Sequence, residues 1–212
     1  RWEPIPFFHA VYHACALFFG SYSSLTRPPY DELWPAEFAP ARPLELLDRK
    51  FAAQFRLEQG RAFAWGQQPT IANFLPGQLA DRGEELDFFL RLVRVRRAAL
   101  PYLRDGVFLR PPAIDAPTAP IPMSRLSIYA GQRDAVREFE GQAPRALASA
   151  WAAPDGSIAA ALVNISEAPI ALDLSLGPPA SAVPPPGVIR KLPQAGPAPV
   201  RAHPRGRAAW QA

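Results

Sequence analysis

Apolar and polar positions change rhythm along the chain, and each change predicts a different element. Ile5 to Tyr12 is aromatic and β-branched, follows Pro4, and predicts a buried strand. Periodicity alone does not exclude a buried helix running on to Phe19. Gly20 to Arg42 is a long connection broken by Pro28-Pro29, Trp34-Pro35 and Pro40. Its large aromatics, Tyr22, Tyr30, Trp34 and Phe38, predict an ordered, functional loop. A helix is predicted over Pro43 to Gln59. Pro43 suits the first turn, Leu44, Leu47, Phe51 and Phe55 form one stripe, and Gly60 is a stop. Ala62-Phe63-Ala64-Trp65 reads as a short buried strand ending in Gly66-Gln67-Gln68-Pro69. A second helix is predicted over Gly83 to Leu103, with Leu86, Phe89, Leu90, Val93 and Leu100 on its buried face. Glu84, Glu85 and Asp87 open it, and Arg91, Arg94, Arg96, Arg97 and Arg104 follow, an order that complements the helix dipole and predicts a solvated, ion-paired face.

Strand, long loop, helix, strand, loop, helix is the alternation of α/β architecture with parallel strands. Two strands do not make a stable sheet, so further strands are expected before Arg1. The rhythm changes again after Leu109, where Pro111, Pro112, Pro117, Pro120 and Pro122 mark a boundary. Short strands are predicted at Arg125 to Tyr129, Arg145 to Ala152, Ser157 to Asn164 and Ile170 to Leu176. Asp155-Gly156 is a hairpin signal between two of them. The expected organisation is an α/β part over 1–110, a small antiparallel β-sandwich-like domain over 111–192, and a Pro/Ala/Arg-rich, poorly ordered tail over 193–212.

Composition adjusts this picture only a little. The 212 residues are 49% hydrophobic and 20% charged, as in an ordinary folded chain, and the 27 prolines fall mostly after Leu109. The net charge is +4, carried almost wholly by scattered arginine because Lys50 and Lys191 are the only lysines, so no nucleic-acid partner is expected. The single cysteine, Cys15, excludes an internal disulfide and is expected to be a buried, inert thiol. No membrane span is expected, since the most apolar stretch, Pro6 to Phe19, is short and carries His9 and His13. The chain begins at Arg1 and its only methionine is Met123, so it is expected to be part of a longer product, with any targeting segment upstream and the compartment left open.

Pro6-Phe-Phe-His-Ala-Val-Tyr-His13, Phe19-Gly-Ser-Tyr22, Pro28-Pro-Tyr-Asp31 and Trp65-Gly-Gln-Gln-Pro69 resemble segments of a bacterial glycoside-hydrolase-like domain family of unknown function. Arg97-Ala-Ala-Leu-Pro-Tyr-Leu103 is similar to the last barrel helix of α-galactosidase-type enzymes. The segments around Ser149-Ala-Trp151 and Leu162-Val-Asn164 resemble their C-terminal β-sandwich. The resemblance spans roughly 4–176. It implies the C-terminal portion of a (β/α)8 TIM barrel, its last two strands and helices, followed by the β-domain. Sites in such barrels lie at the C-terminal ends of the strands. That puts His9, Tyr12, His13, Trp65, Gln67 and Gln68 at the rim, with Asp31 and Trp34 from the long loop as further substrate-binding candidates.

Each candidate has a plainer alternative. His9 and His13 either contact sugar, sit satisfied in a core, or form half a zinc site, for which no third ligand is near. Trp65 is either barrel packing or a platform for a sugar ring, and Gln67-Gln68 either cap a loop or bind ligand. Glycoside hydrolysis needs a pair of carboxylates. The strand ends carry none, and Asp31, Glu32 and Glu37 are loop acids, so the catalytic acids are expected upstream of Arg1. The expected function is the C-terminal part of a glycosidase that contributes substrate contacts, needs its missing N-terminal barrel half, and uses no cofactor or metal. The alternative is a non-catalytic carbohydrate-binding or structural barrel piece.

Overall fold

The computed structural model describes residues 6–20, 26–27, 45–46, 49–71, 74, 77–126, 136–172, 174–175, 201–202 and 208–209. The long loop with Tyr30, Asp31 and Trp34 lies outside them, as does most of the tail.

The first element corrects the strand expected over Ile5 to Tyr12. Phe7–Tyr12 is a short helix, α1, continued by a 3-10 turn over His13–Cys15. The helix buries no residue of its own, so it is not the alternative buried helix either. A strand needs a neighbour to satisfy its backbone, whereas a helix bonds within itself, as Ala10 N–H does to the Pro6 carbonyl at 2.9 Å. Cys15, expected to be buried, is exposed.

Thr26–Arg27 (β1) pairs antiparallel with Glu45–Leu46 (β2). The helix expected over Pro43 to Gln59 therefore starts later, after a 3-10 turn at Arg49–Phe51, and runs as α2 over Ala52–Ala64. It absorbs the strand expected at Ala62 to Trp65 and passes straight through Gly60. Glycine serves packing there: a Cβ would come within 3.0 to 3.2 Å of Ile165, Leu147 and Val163. The true stop is Gly66, with φ +72°. Gly66 N–H reaches the Phe63 carbonyl at 3.0 Å and Gln67 N–H the Ala62 carbonyl at 2.9 Å, the paired bonds of a Schellman ending.

After a single turn at Gln78–Asp81 (α3), α4 covers Gly83–Ala98 and α5 Leu100–Leu103. The single helix expected over Gly83 to Leu103 breaks at Ala99, next to Leu100-Pro101, because proline brings no N–H to the ladder. Of the face expected, Leu86 is buried, Phe89, Val93 and Leu100 are half-buried and Leu90 is exposed, while Glu85, Leu92 and Arg96 are buried beside Leu86. The arginine row is only partly the solvated face expected. Arg91 pairs with Asp87, whereas Arg96 is buried.

The second half is antiparallel. Val107–Leu109 (β3), Ala146–Ala152 (β7) and Ile158–Asn164 (β8) form one sheet in the order β3-β7-β8. Ala113–Ile114 (β4) pairs with Leu174–Ser175 (β9), and Thr118–Leu126 (β5) with Val136–Pro144 (β6). The hairpin between β7 and β8 turns at Asp155-Gly156, where Gly156 has φ +82°. The strand expected at Arg125 to Tyr129 begins earlier, at Thr118, and takes Pro120 and Pro122 into a two-stranded ribbon where each residue has one side unpaired. Of Ile170 to Leu176, only Leu174–Ser175 is strand among the described residues. In the tail, Arg201–Ala202 (β10) and Ala208–Ala209 (β11) pair.

Helices and sheets share one core. Leu57 and Phe63 of α2, Leu92 of α4 and Leu103 of α5 meet Ile121, Trp151, Val163 and Ile165 of the β part. Trp151 is fully buried, its indole N–H donating to the equally buried Ser149 hydroxyl at 2.9 Å. Buried Arg56 joins the layers at the surface, 2.9 Å from Glu167 beyond β8 and 3.7 Å from Glu84 on α4.

Candidate functional site

The end of α2 builds the site. The Schellman turn at Gly66 reverses the chain so that Gln67 and Gln68 run beside Phe18–Gly20. Gln68 N–H donates to the Phe18 carbonyl at 2.6 Å and Gly20 N–H to the Gln68 carbonyl at 2.7 Å. The resulting Phe19–Gln68 bridge is parallel. Thr70 closes the same corner, its hydroxyl donating to the Gly20 carbonyl at 3.0 Å.

Arg96 holds the turn from below. Its Nε donates to the Gln67 carbonyl at 3.0 Å and its Nη2 to the Gly66 carbonyl at 3.1 Å. The negative end of the α2 dipole suits a cation there. Burial lowers the guanidinium pKa, Arg104 reinforces this and Asp105 opposes it.

Above the turn, the buried Gln67 side chain touches the His9 imidazole, 2.5 Å from amide nitrogen to Nε2. His9 Nδ1 is buried with no partner among the described residues. An orphaned acceptor costs less than an orphaned N–H. The favoured arrangement therefore turns the amide so that Nε2–H donates to the Gln67 oxygen and Nδ1 keeps a bare lone pair. Burial holds the His9 pKa below its ordinary value. The imidazole also lies 5.6 Å from the Trp65 ring and 4.9 Å, edge-on, from Phe18. His9, Trp65, Gln67 and Phe18 thus form one cluster, with the Gln68 side chain exposed beside it.

His13 lies on the other side of Gly66 and does not join that cluster. It is 6% exposed and its ring sits 4.6 Å from Trp151. Neither ring nitrogen has a hydrogen bond of ordinary geometry among the described residues. Burial chiefly lowers its pKa, helped by Arg96 and His9, while the nearby Leu103 carbonyl and Asp105 favour the charged form. Tyr12 is exposed and stacks on Phe8 at 4.7 Å. Asp31 and Trp34 lie outside the described residues.

Sequence reasoning missed Gly66, Arg96, Phe18 and Trp151 as supports of this region. Gly66 carried a usable signal, a glycine just past an apolar helical run. Among the described residues no three His, Cys, Asp or Glu gather as a metal site, and no helix is long and apolar enough to cross a membrane. A separate cleft of about 420 Å³ lies where α2 meets α4, lined by Arg49, Asp81, Glu84, Glu85 and Glu167 among others, and no residue of the His9 cluster borders it. Comparison with family models, with curated proteins and with solved structures finds no match for this chain.

Proposed function

We propose that the chain is the C-terminal part of a glycoside-hydrolase-like protein with a (β/α)8 barrel of the α-galactosidase type, and that His9, Trp65, Gln67 and Gln68 contribute carbohydrate contacts at its rim. The catalytic carboxylates belong to earlier barrel strands, so this part alone does not hydrolyse glycosides.

The observation that carries the reading is the parallel Phe19–Gln68 bridge with α2 between its two segments. Parallel neighbours require a crossover, and a helical crossover is the repeating unit of such barrels. A half-buried indole and two neighbouring amides, one buried and one exposed, then stand at the turn from α2 into the second segment. An indole face packs on the apolar face of a pyranose, and amides exchange hydrogen bonds with its hydroxyls. The large exposed apolar side chains of Phe7, Phe8, Leu17 and Phe19 are what neighbouring barrel strands would cover.

Calorimetric titration of the parent protein with α- and β-linked oligosaccharides tests this. Gln67→Ala is expected to weaken binding by about 1–3 kcal/mol, the penalty for leaving a buried polar partner unpaired, with the melting temperature little changed. Unchanged affinity together with a sharp fall in melting temperature makes Gln67 a loop cap and ends the carbohydrate assignment for it.

A further inference from the structure

We infer that His13 is an acid-sensitive latch: the segment Phe7–Gly20 stays docked on the helix–sheet body while the His13 imidazole is neutral, and acidification releases that segment while the body stays folded. The inference does not rest on the carbohydrate reading.

The geometry leaves His13 no room to carry a proton comfortably. Its ring is enclosed by Trp151 on one side and by Gly66 on another, where even a Cβ would come within 2.7 Å of His13 Cε1. Both ring nitrogens are buried without a partner among the described residues. An imidazolium there would be a desolvated cation with the Leu103 carbonyl as its one nearby acceptor among the described residues. The charged groups around it do not compensate. From α4 comes Arg96, a second cation, and from the same segment His9. Asp105, after α5, is the one opposing carboxylate among the described residues, and it is exposed and already paired with Arg104 at 2.7 Å. The Leu103 carbonyl favours the charged form more than Asp105 does, but burial and Arg96 each outweigh it. The neighbouring strand β3, Val-Phe-Leu, and Trp151 bring no charge.

Release is local because little else fastens the segment. The α1 helix buries no residue, and Cys15, Leu17 and Phe19 are exposed. Among the described residues, what remains is the His9 contact with Gln67 and Trp65, the main-chain bonds around Gln68 and the Thr70 hydroxyl on the Gly20 carbonyl. Few buried contacts and one enclosed imidazole describe a unit that opens before the rest. The sign follows from linkage. A histidine whose docked pKa lies below its free value of about 6.5 binds more protons when released, so docking is favoured above that pH and weakens as pH falls through and below it. His9 on the same segment contributes in the same direction.

Hydrogen-exchange mass spectrometry of the full chain at about pH 7.5 and about pH 5, corrected for intrinsic exchange, reads this directly. Amides of 9–20 should lose protection by up to about tenfold per pH unit below about 6.5, while α2 and the β7–β8 hairpin keep theirs. His13→Phe should lose most of the acid response, and His9→Phe should keep most of it. Unchanged protection of 9–20, loss across the whole chain together, or an undiminished response in His13→Phe overturns the latch. Should His13→Phe undock at neutral pH, the His13 C2–H resonance of the unsubstituted protein decides. A midpoint well below 6.5 supports the latch, and one at or above 6.5 overturns it.

Discussion

The imidazole of His13 and the indole of Trp151 lie ring to ring, 4.6 Å between centroids and inclined by 57°. Through this pair the N-terminal segment reaches the centre of the β3-β7-β8 sheet, because Trp151 also meets Phe108 edge-on at 4.7 Å. Gly66 is the third member of the contact. The residue that ends α2 is also the one whose missing side chain lets the two rings approach.

Gly66→Ala therefore fails twice. Its φ of +72° is unfavourable for an L side chain, and the added methyl would lie 2.7 Å from Trp151 Cη2 and from His13 Cε1. The left-handed backbone costs about 1–2 kcal/mol and overpacking about 1–3 kcal/mol more. Chemical denaturation should show a loss of about 2–5 kcal/mol from the two together. Gly83→Ala is the control: nothing lies within 4 Å of its Cβ position, and it sits in the first turn of α4. It should be neutral or gain up to about 1 kcal/mol. Equal behaviour of the two variants would remove Gly66 from its place as turn and spacer.

Arg96→Met should destabilise by about 2–4 kcal/mol, because the Gly66 and Gln67 carbonyls both lose a charged donor in a buried setting. Arg96→Lys has one ammonium in place of a fork and should recover only part of this. A second readout separates a packing role from an electrostatic one. Arg96 lowers the His13 pKa. Its removal lets that pKa rise toward its free value, which narrows the gap between docked and released states and shrinks the fall in stability between about pH 7 and about pH 5. A destabilised Arg96→Met with the full acid response intact would show that the guanidinium acts on the turn alone.

The legible parts of this fold were those set by local chemistry. The β7–β8 hairpin follows from Asp155-Gly156 between two apolar runs, and its strands match the expected spans to within a residue. The illegible parts were decided by tertiary contact. Ala62 to Trp65 is a short apolar run that suits a strand or a buried helix end equally, and packing of α2 on Val163 and Ile165 chose the helix. Gly60, read as a stop, is the point of closest approach, while Gly66, six residues on, is the stop. Arg96 looked like one more solvated arginine because its partners are backbone carbonyls 29 and 30 residues away. His9 and Gln67 were both singled out from the sequence. Their contact across 58 residues depends on a helical crossover whose limits the sequence did not give. His13, grouped with them by its spacing, faces the core because a short helix and a 3-10 turn replace the strand that would have put it on the rim.

The exposed aromatic segment offers a test that separates a self-sufficient surface from a covered one. Phe7 is 71% exposed, Leu17 67% and Phe19 66%, whereas Phe63 is buried in the core. In the chain by itself, Phe7→Glu or Leu17→Glu removes no packing, so the unfolding midpoint should move by no more than about 0.5 kcal/mol. Binding of a hydrophobic dye should fall, because the apolar patch is interrupted. In a longer protein carrying further barrel strands, the same side chains would be covered by those strands. Each substitution should then cost about 1.5–3 kcal/mol of lost burial, and more where the glutamate enters the interface charged. Parallel denaturation curves on the short and long proteins read the difference. A loss in the short chain as large as in the long one would mean that the segment packs on the body after all. No loss in the long one would mean that nothing covers Phe7 and Leu17, and the barrel reading would lose the surface that supports it.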